Sequence, residues 1–182
     1  KTIAIAEIDN EINYEEWFEE VDKLCGGLKS VGLTSKDKVI TLLQNNIAAA
    51  TIHWACQITG LTIVPLNWRM KSEEIDFCIS DSDARCIIYQ EESYLSVKNS
   101  ITCQNLINIF VGKPKKDKIN FNDLLKNGKS GNGPTAKSDF LSLILYTSGT
   151  TGKPKGVPRT HFAERSSAIA HIAQNMYQKN ES

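Results

Sequence analysis

The sequence has no surplus of charge of either sign: 21 Lys and Arg stand against 21 Asp and Glu. A general nucleic-acid or membrane-surface binder needs a basic excess, so this balance argues against both. No run approaches the roughly 20 apolar residues that cross a bilayer. The opening "KTIAIAEIDN" has one Lys, then acids, and no long apolar block, so it does not read as a secretory signal. It also lacks an initiator Met, which leaves room for residues upstream. No internal repeat is visible. No Ser-His-Asp set or metal-ligand cluster stands out either.

The cysteines are five, an odd number, and no two form a CxxC pair. Cys25, Cys56, Cys78, Cys86 and Cys103 mostly sit beside apolar neighbours. They read as reduced, mostly buried thiols in a reducing compartment, which points to a cytoplasmic protein. A zinc site is the alternative, and the ligand spacing speaks against it.

What is present is a soluble globular composition, 41% hydrophobic and 23% charged, in 182 residues. In "NYEEWFEEVDKLCGGLKSV", Trp17, Val21, Leu24, Leu28 and Val31 recur at helical steps. Asn13 and Glu16 fit a capping box, acids crowd the first turn, and Gly32 ends the helix. Gly26 and Gly27 weaken its middle, and close packing is one reason for them to be there. "KVITLLQN" follows as a strand, "NIAAATIHWACQITG" as a helix ended by Gly60, and "LTIVPLN" as a strand. "SEEIDFCISDSD" makes a helix with Ser72 as cap, and "RCIIYQ" another strand. This alternation predicts a parallel α/β sheet flanked by helices. Further on, "LINIFVG" reads as strand, "FNDLLKN" as helix and residues 128–138 as an exposed connector. "DFLSLILY" is an apolar strand, "GVPRTH" another, and a last helix runs from about Phe162 to Gln178. Its Ala163, Ile169, Ala170, Ile172 and Ala173 form an apolar stripe.

Between those two strands lies "YTSGTTGKPKG", Tyr146 to Gly156. Gly149, Gly152 and Gly156 let the backbone come close to a ligand and turn its N–H groups inward as an anion nest. Thr147, Ser148, Thr150 and Thr151 add hydroxyl donors, and Lys153 and Lys155 add positive charge. Such a loop suits a polyphosphate. It is not the common NTPase loop: Thr147 stands where that motif needs Gly, and Pro154 where it needs Ser or Thr. Pro154 and Pro158 bracket the exit, so the loop joins two strands instead of opening a helix. The plain alternative is a surface hairpin. The ordered run of eleven residues is more specific than that.

"LILYTSGTTGKPKGV" resembles the signature loop of the adenylate-forming, AMP-binding enzymes: acyl- and aryl-CoA synthetases, luciferases and adenylation domains of peptide synthetases. The Tyr14-led helix with its Gly32-Leu33 and Asp37-Lys38-Val39 turn is similar to the family's opening segment. "VPLN", with the helix carrying Glu73 and Glu74, also follows the family pattern. "GVPRTHFAERSSAIAHIAQNMY" looks most like a carboxylate–CoA ligase. The resemblance implies a fold: residues 1–182 as the N-terminal portion of the large domain, with a mostly parallel, incomplete sheet. It also implies a chemistry. A fatty or aryl carboxylate would attack ATP to give acyl-AMP and pyrophosphate, and the acyl group would pass to CoA. ATP, Mg2+ and CoA are the implied cofactors and substrates.

By the same resemblance, Thr147, Ser148, Gly149, Thr150, Thr151, Gly152, Lys153, Pro154 and Lys155 are the ATP phosphate loop. Lys155 is the leading phosphate-contacting cation, while Lys153 either joins it or stays solvated. The family's Thr-Glu magnesium motif, ribose Asp and C-terminal catalytic Lys find no match in the chain. These 182 residues alone are therefore expected not to make acyl-CoA. Two other readings stay open: an adenylation domain loading a carrier protein, and a truncated, non-catalytic binding module.

Other conspicuous residues read as structural. Trp17, His53 and Trp54 are expected in the core. Trp68 and Arg69 are expected to close a strand, with Arg69 pairing an acid. His161 is expected to have a structural or capping role, and Glu73–Glu74 to serve the helix dipole.

Overall fold

The computed structural model describes residues 2–8, 10–130, 133–148 and 154–177. A short antiparallel pair, β1 (Ile3–Ala6) and β2 (Glu11–Asn13), leads into α1 (Tyr14–Ser30). Then follow β3 (Lys38–Leu42), α2 (Ile47–Thr59), β4 (Thr62–Pro65), α3 (Ser72–Ser82) and β5 (Cys86–Tyr89). The second half holds α4 (Tyr94–Asn99), β6 (Ile107–Phe110), β7 (Ile119–Asn120) and α5 (Phe121–Asn127). β8 (Leu141–Ser148), β9 (Pro154–Thr160) and α6 (His161–Asn175) complete the described chain. Seven strands form one sheet in the order β7-β6-β5-β3-β4-β8-β9. Every neighbouring pair is parallel except β8 with β9.

The expected mostly parallel sheet is thus present, with helices on both faces. Strand residues alternate between two apolar layers. Val39, Ile63, Cys86, Ile88 and Ile109 pack with α1, α2 and α5 through Leu24, Leu28, Ile52, Ala55 and Leu124. Ile40, Leu42, Val64, Ile87 and Ile144 pack with α3 and α4 through Ile75, Cys78, Ile79 and Val97. All five cysteines are free and buried in these layers. Among the described residues no group of His, Cys, Asp and Glu could hold a metal ion. No described helix is long and apolar enough to cross a membrane.

The helix ends follow local chemistry. The Asn13 side chain accepts from the N–H groups of Glu15 and Glu16, and Glu16 accepts from the Asn13 N–H at 3.3 Å. That is the capping box expected from the sequence. α1 stops in a double-bonded turn: Leu33 N–H reaches Leu28 O, Gly32 N–H reaches Lys29 O, and Gly32 has φ +89°. The cap of α3 differs from expectation. Lys71 is the capping residue and Ser72 the first helical one. Glu74 reaches back to accept from the Lys71 N–H at 2.9 Å, so an acid in the first turn, not a Ser hydroxyl, makes the side-chain bond at this helix start.

The Gly pair in α1 has the packing reason the sequence left open. A Cβ on Gly26 would stand 1.8 Å from Lys129 O, and one on Gly27 would stand 2.9 Å from Leu124 Cβ. α1 and α5 therefore meet at backbone distance, and the connector leaving α5 crosses directly over α1. That connector is exposed along most of its described length, yet tethered: Thr135 N–H donates to Ile58 O, and Thr135 Oγ1 to Thr59 O.

Two side-chain expectations need correction. Trp54 is half exposed at 50%, because its position on α2 turns towards the margin of the α1–α2 contact. Trp17 is partly buried as expected, and its indole donates to Thr51 Oγ1 at 3.1 Å. Arg69 lies over the Trp68 ring at 3.9 Å, and among the described residues it forms no ion pair with an acid. The stripe on α6 is mostly open: no described residue of that helix is buried, and Ile169 and Ile172 are each 53% exposed, while Ala163 near its start is partly covered.

Candidate phosphate-loop site

β8 enters the sheet beside β4, parallel to it, with Ile63 opposite Leu143. Side chains fasten this join. Thr62 Oγ1 donates to Leu141 O at 3.1 Å, and Ser142 Oγ donates to Gln57 Oε1 at 2.7 Å. Because β8 runs parallel to β3, β4 and β5, its Ser148 end lies at their carboxyl edge. That edge is where open α/β sheets hold their ligands. β9 then returns antiparallel as the edge strand, starting at Pro154, which tolerates an edge because it has no N–H to donate.

The register places two of the sequence-assigned residues, Thr147 and Lys155, opposite each other. Thr147 faces Lys155, Tyr146 faces Gly156, and Ser148 faces Pro154. Opposed residues in an antiparallel pair point to one side of the sheet. Thr147 and Lys155 therefore share a face, and both are exposed. Among the described residues Lys155 takes part in no salt bridge, so its ammonium is available to an external anion. Of the nine residues assigned to the loop, Gly149, Thr150, Thr151, Gly152 and Lys153 lie outside the described residues.

The alternate face of the hairpin turns inward. Tyr146 packs against the layer formed with α3. Its phenol donates to Asp81 Oδ2 at 2.6 Å, with Cys78 O at 3.5 Å. Burial, then the hydrogen bond and charge of Asp81, push the phenol's pKa well above its usual value. Gly156 lies beneath this ring: a Cβ there would stand 3.2 Å from Tyr146 Cζ and 3.3 Å from its Oη. The sequence reading did not single out Asp81, which lies 65 residues from Tyr146 and carries no local signal of the pairing.

His161 follows β9 at its far end. Six residues of extended chain put it about 20 Å from Lys155, which removes it from the loop. The cap of α6 is Thr160, whose hydroxyl accepts from Ala163 N–H at 3.2 Å. His161 is thus the first helical residue; its N–H donates to Phe140 O, and its Nε2 is buried without a partner. Burial lowers its pKa. Beside it, Arg159 joins strand to helix through an ion pair with Glu164 and a 2.7 Å bond to Ser167 Oγ.

Comparison with known proteins matches this arrangement. The sequence model of the family described as "AMP-binding enzyme" matches residues 1–181. An uncharacterized acyl–CoA ligase, YtcI of Bacillus subtilis strain 168, is 25% identical over 82% of this chain and 28% of its own length. The anthranilate CoA ligase AuaEII, solved in complex with anthranoyl-AMP, superposes with a TM-score of 0.83. That match has 22% identity and covers 96% of this chain and 33% of AuaEII. The Bacillus subtilis o-succinylbenzoate CoA synthetase MenE, solved with ATP and magnesium ion, superposes with a TM-score of 0.78 at 22% identity. It covers 98% of this chain and 45% of MenE. These structures share the fold, and the chain spans about a third of the length of the curated relatives it matches. The sheet, the hairpin at its carboxyl edge and the match along nearly the whole sequence make the chain a member of the AMP-binding enzyme family.

Proposed function

We propose that the chain is the N-terminal portion of the adenylation domain of an ATP-dependent carboxylate–CoA ligase. One observation carries this reading: the exposed Thr147–Lys155 pair, side by side where the hairpin leaves the carboxyl edge of a parallel sheet. The proposed reaction activates a fatty or aryl carboxylate as acyl-AMP, releases pyrophosphate, and passes the acyl group to CoA. The first step sets a charge problem. A carboxylate must approach a polyanion while pyrophosphate leaves with growing negative charge. Such transfers depend on positioning and on fixed opposite charge.

The residues fit that task. Lys155 supplies a cation and Thr147 a hydroxyl on one face. The segment Ser148 to Pro154, with Gly149, Thr150, Thr151, Gly152 and Lys153, supplies further donors towards the β- and γ-phosphates. Magnesium, brought with the nucleotide, shares the charge. Buried, reduced cysteines fit a cytoplasmic protein. By itself the 182-residue chain carries one phosphate clamp, and we expect it to give no AMP with ATP, CoA and a panel of carboxylates. Carboxylate-dependent ATP–pyrophosphate exchange in the parent protein tests the reading: Lys155→Ala should weaken exchange, and an unchanged rate would remove Lys155 from the site.

A further inference from the structure

We infer that Tyr146, tied to Asp81 and seated over Gly156, is a positioning residue that sets which face of the hairpin Lys155 occupies. The inference rests on the reading of Lys155 given above.

Side chains along a strand alternate with a period of two, so a slip of one residue sends each to the opposite face. β9 is an edge strand, with a pairing partner on one side only. Its own sequence specifies register weakly. Val157 on one face is 44% exposed, as is Leu145 opposite it at 42%, so burial of these two does not fix the choice. Tyr146 does. Its ring occupies the space above Gly156, the one residue of β9 with no side chain to displace it. At that position a Cβ would also stand 3.0 Å from Ile144 Cγ2. A slip of one residue would bring Lys155 or Val157 under the ring. Either side chain would crowd the ring and press it out of its place.

Asp81 holds the ring in this place. It sits in the last turn of α3, a poor position for an acid, because the helix dipole there favours cations and α3 has no basic residue in that turn. The 2.6 Å bond from the phenol gives the carboxylate a partner that its own helix does not provide. Three elements meet at one hydroxyl: β8 supplies it, α3 accepts it, and β9 leaves room for the ring. Tyr146 immediately precedes Thr147, and Gly156 immediately follows Lys155. The pair proposed to face phosphate is thus flanked by the pair that locks the register.

The test uses the parent protein with Tyr146→Phe, Asp81→Asn and the double variant. Exchange kinetics give kcat and the KM for MgATP and for the carboxylate, and thermal unfolding gives Tm. Tyr146→Phe should raise the KM for MgATP about fivefold and leave the carboxylate KM unchanged. Asp81→Asn should do the same, and the double variant should be no worse than either single one. An unchanged KM for MgATP in both singles would overturn the inference, as would a fall in Tm with no kinetic change. Lys155→Ala, measured alongside, separates the two levels. If it weakens exchange while Tyr146→Phe does not, the positioning role alone falls. If it leaves exchange unchanged, the phosphate reading falls and takes the positioning role with it.

Discussion

The five strands from β7 to β4 and the β8–β9–α6 edge are built from similar residues but pack differently. In the first region Val39, Ile40, Ile87, Ile88 and Ile109 are fully buried, with helices on both sides. In the second, Leu145, Val157, Phe162, Ile169 and Ile172 are 42%, 44%, 68%, 53% and 53% exposed. The parallel strands are held chiefly by burial on both faces. The hairpin settles its register through one hydroxyl, one carboxylate and one glycine. A layer held by burial resists single changes in polar groups and is sensitive to lost volume. A hairpin held by a polar tie has the opposite sensitivities.

The contrast can be broken in several ways. The largest effect is nearly all-or-none. Burial holds the Cys25, Cys78 and Cys103 thiols at about 11 and Cys56 at about 12, and raises Cys86 as well. A thiol reagent at about pH 8 should therefore find no reactive cysteine in the native chain and five in denaturant. Rapid native labelling would show that the core layer opens. The sign of the linkage follows from the same shifts. Stability is full below the ordinary thiol pKa and falls as pH rises from about 9 towards 12, where unfolded thiols ionise first.

Next comes Ile88→Ala, which should cost about 3–4 kcal/mol in urea unfolding, because the site is fully buried on a central strand. Gly26→Ala should cost about 2 kcal/mol, since the new methyl must push the Lys129 carbonyl aside. A cost near zero there would mean that the connector leaving α5 sits more loosely on α1. Lys155→Ala should leave the urea midpoint in place but lower exchange in the parent protein about tenfold, close to 1.4 kcal/mol. The smallest effect belongs to α6: Ile169→Ser should change stability by less than about 0.5 kcal/mol. A larger loss would reveal a contact that covers the helix and would place α6 with the first region.

The same division explains what the sequence made legible. Elements of the first region announce themselves locally. Asn13 and Glu16 sit three residues apart, Gly32 and Gly60 mark helix ends, and each buried strand is a short apolar run between turn residues. The Gly26–Gly27 pair even forecast close packing, though its partner, 103 residues on at Lys129 in the case of Gly26, was invisible. α6 has an equally clear stripe, yet among the described residues it stays open to solvent. Amphipathicity shows which face of a helix is apolar, not whether anything in the same chain lies against it. Ser72 is not the cap for a smaller reason: the helix already begins at it, with Lys71 as the capping residue and Glu74 accepting from the Lys71 N–H. At the candidate site, residue types and order were readable, as were the strands on either side. The shared face of Thr147 and Lys155 needed the register, and the register depends on Tyr146 meeting Asp81, a contact between segments with nothing in common along the chain.

The place of β8 in the sheet also bears on the order in which the molecule assembles. β8 and β9 are joined by a short loop, and hairpins of this kind close within microseconds. Docking β8 against β4 is a different event: Ile63 and Leu143 lie 80 residues apart, with three other strands, β5, β6 and β7, and the helices α3, α4 and α5 between them in the chain. Loop closure on that scale is slow and gains nothing until both ends are ordered. The strand that bears the phosphate loop should join the sheet late, after β3, β4 and β5 have paired.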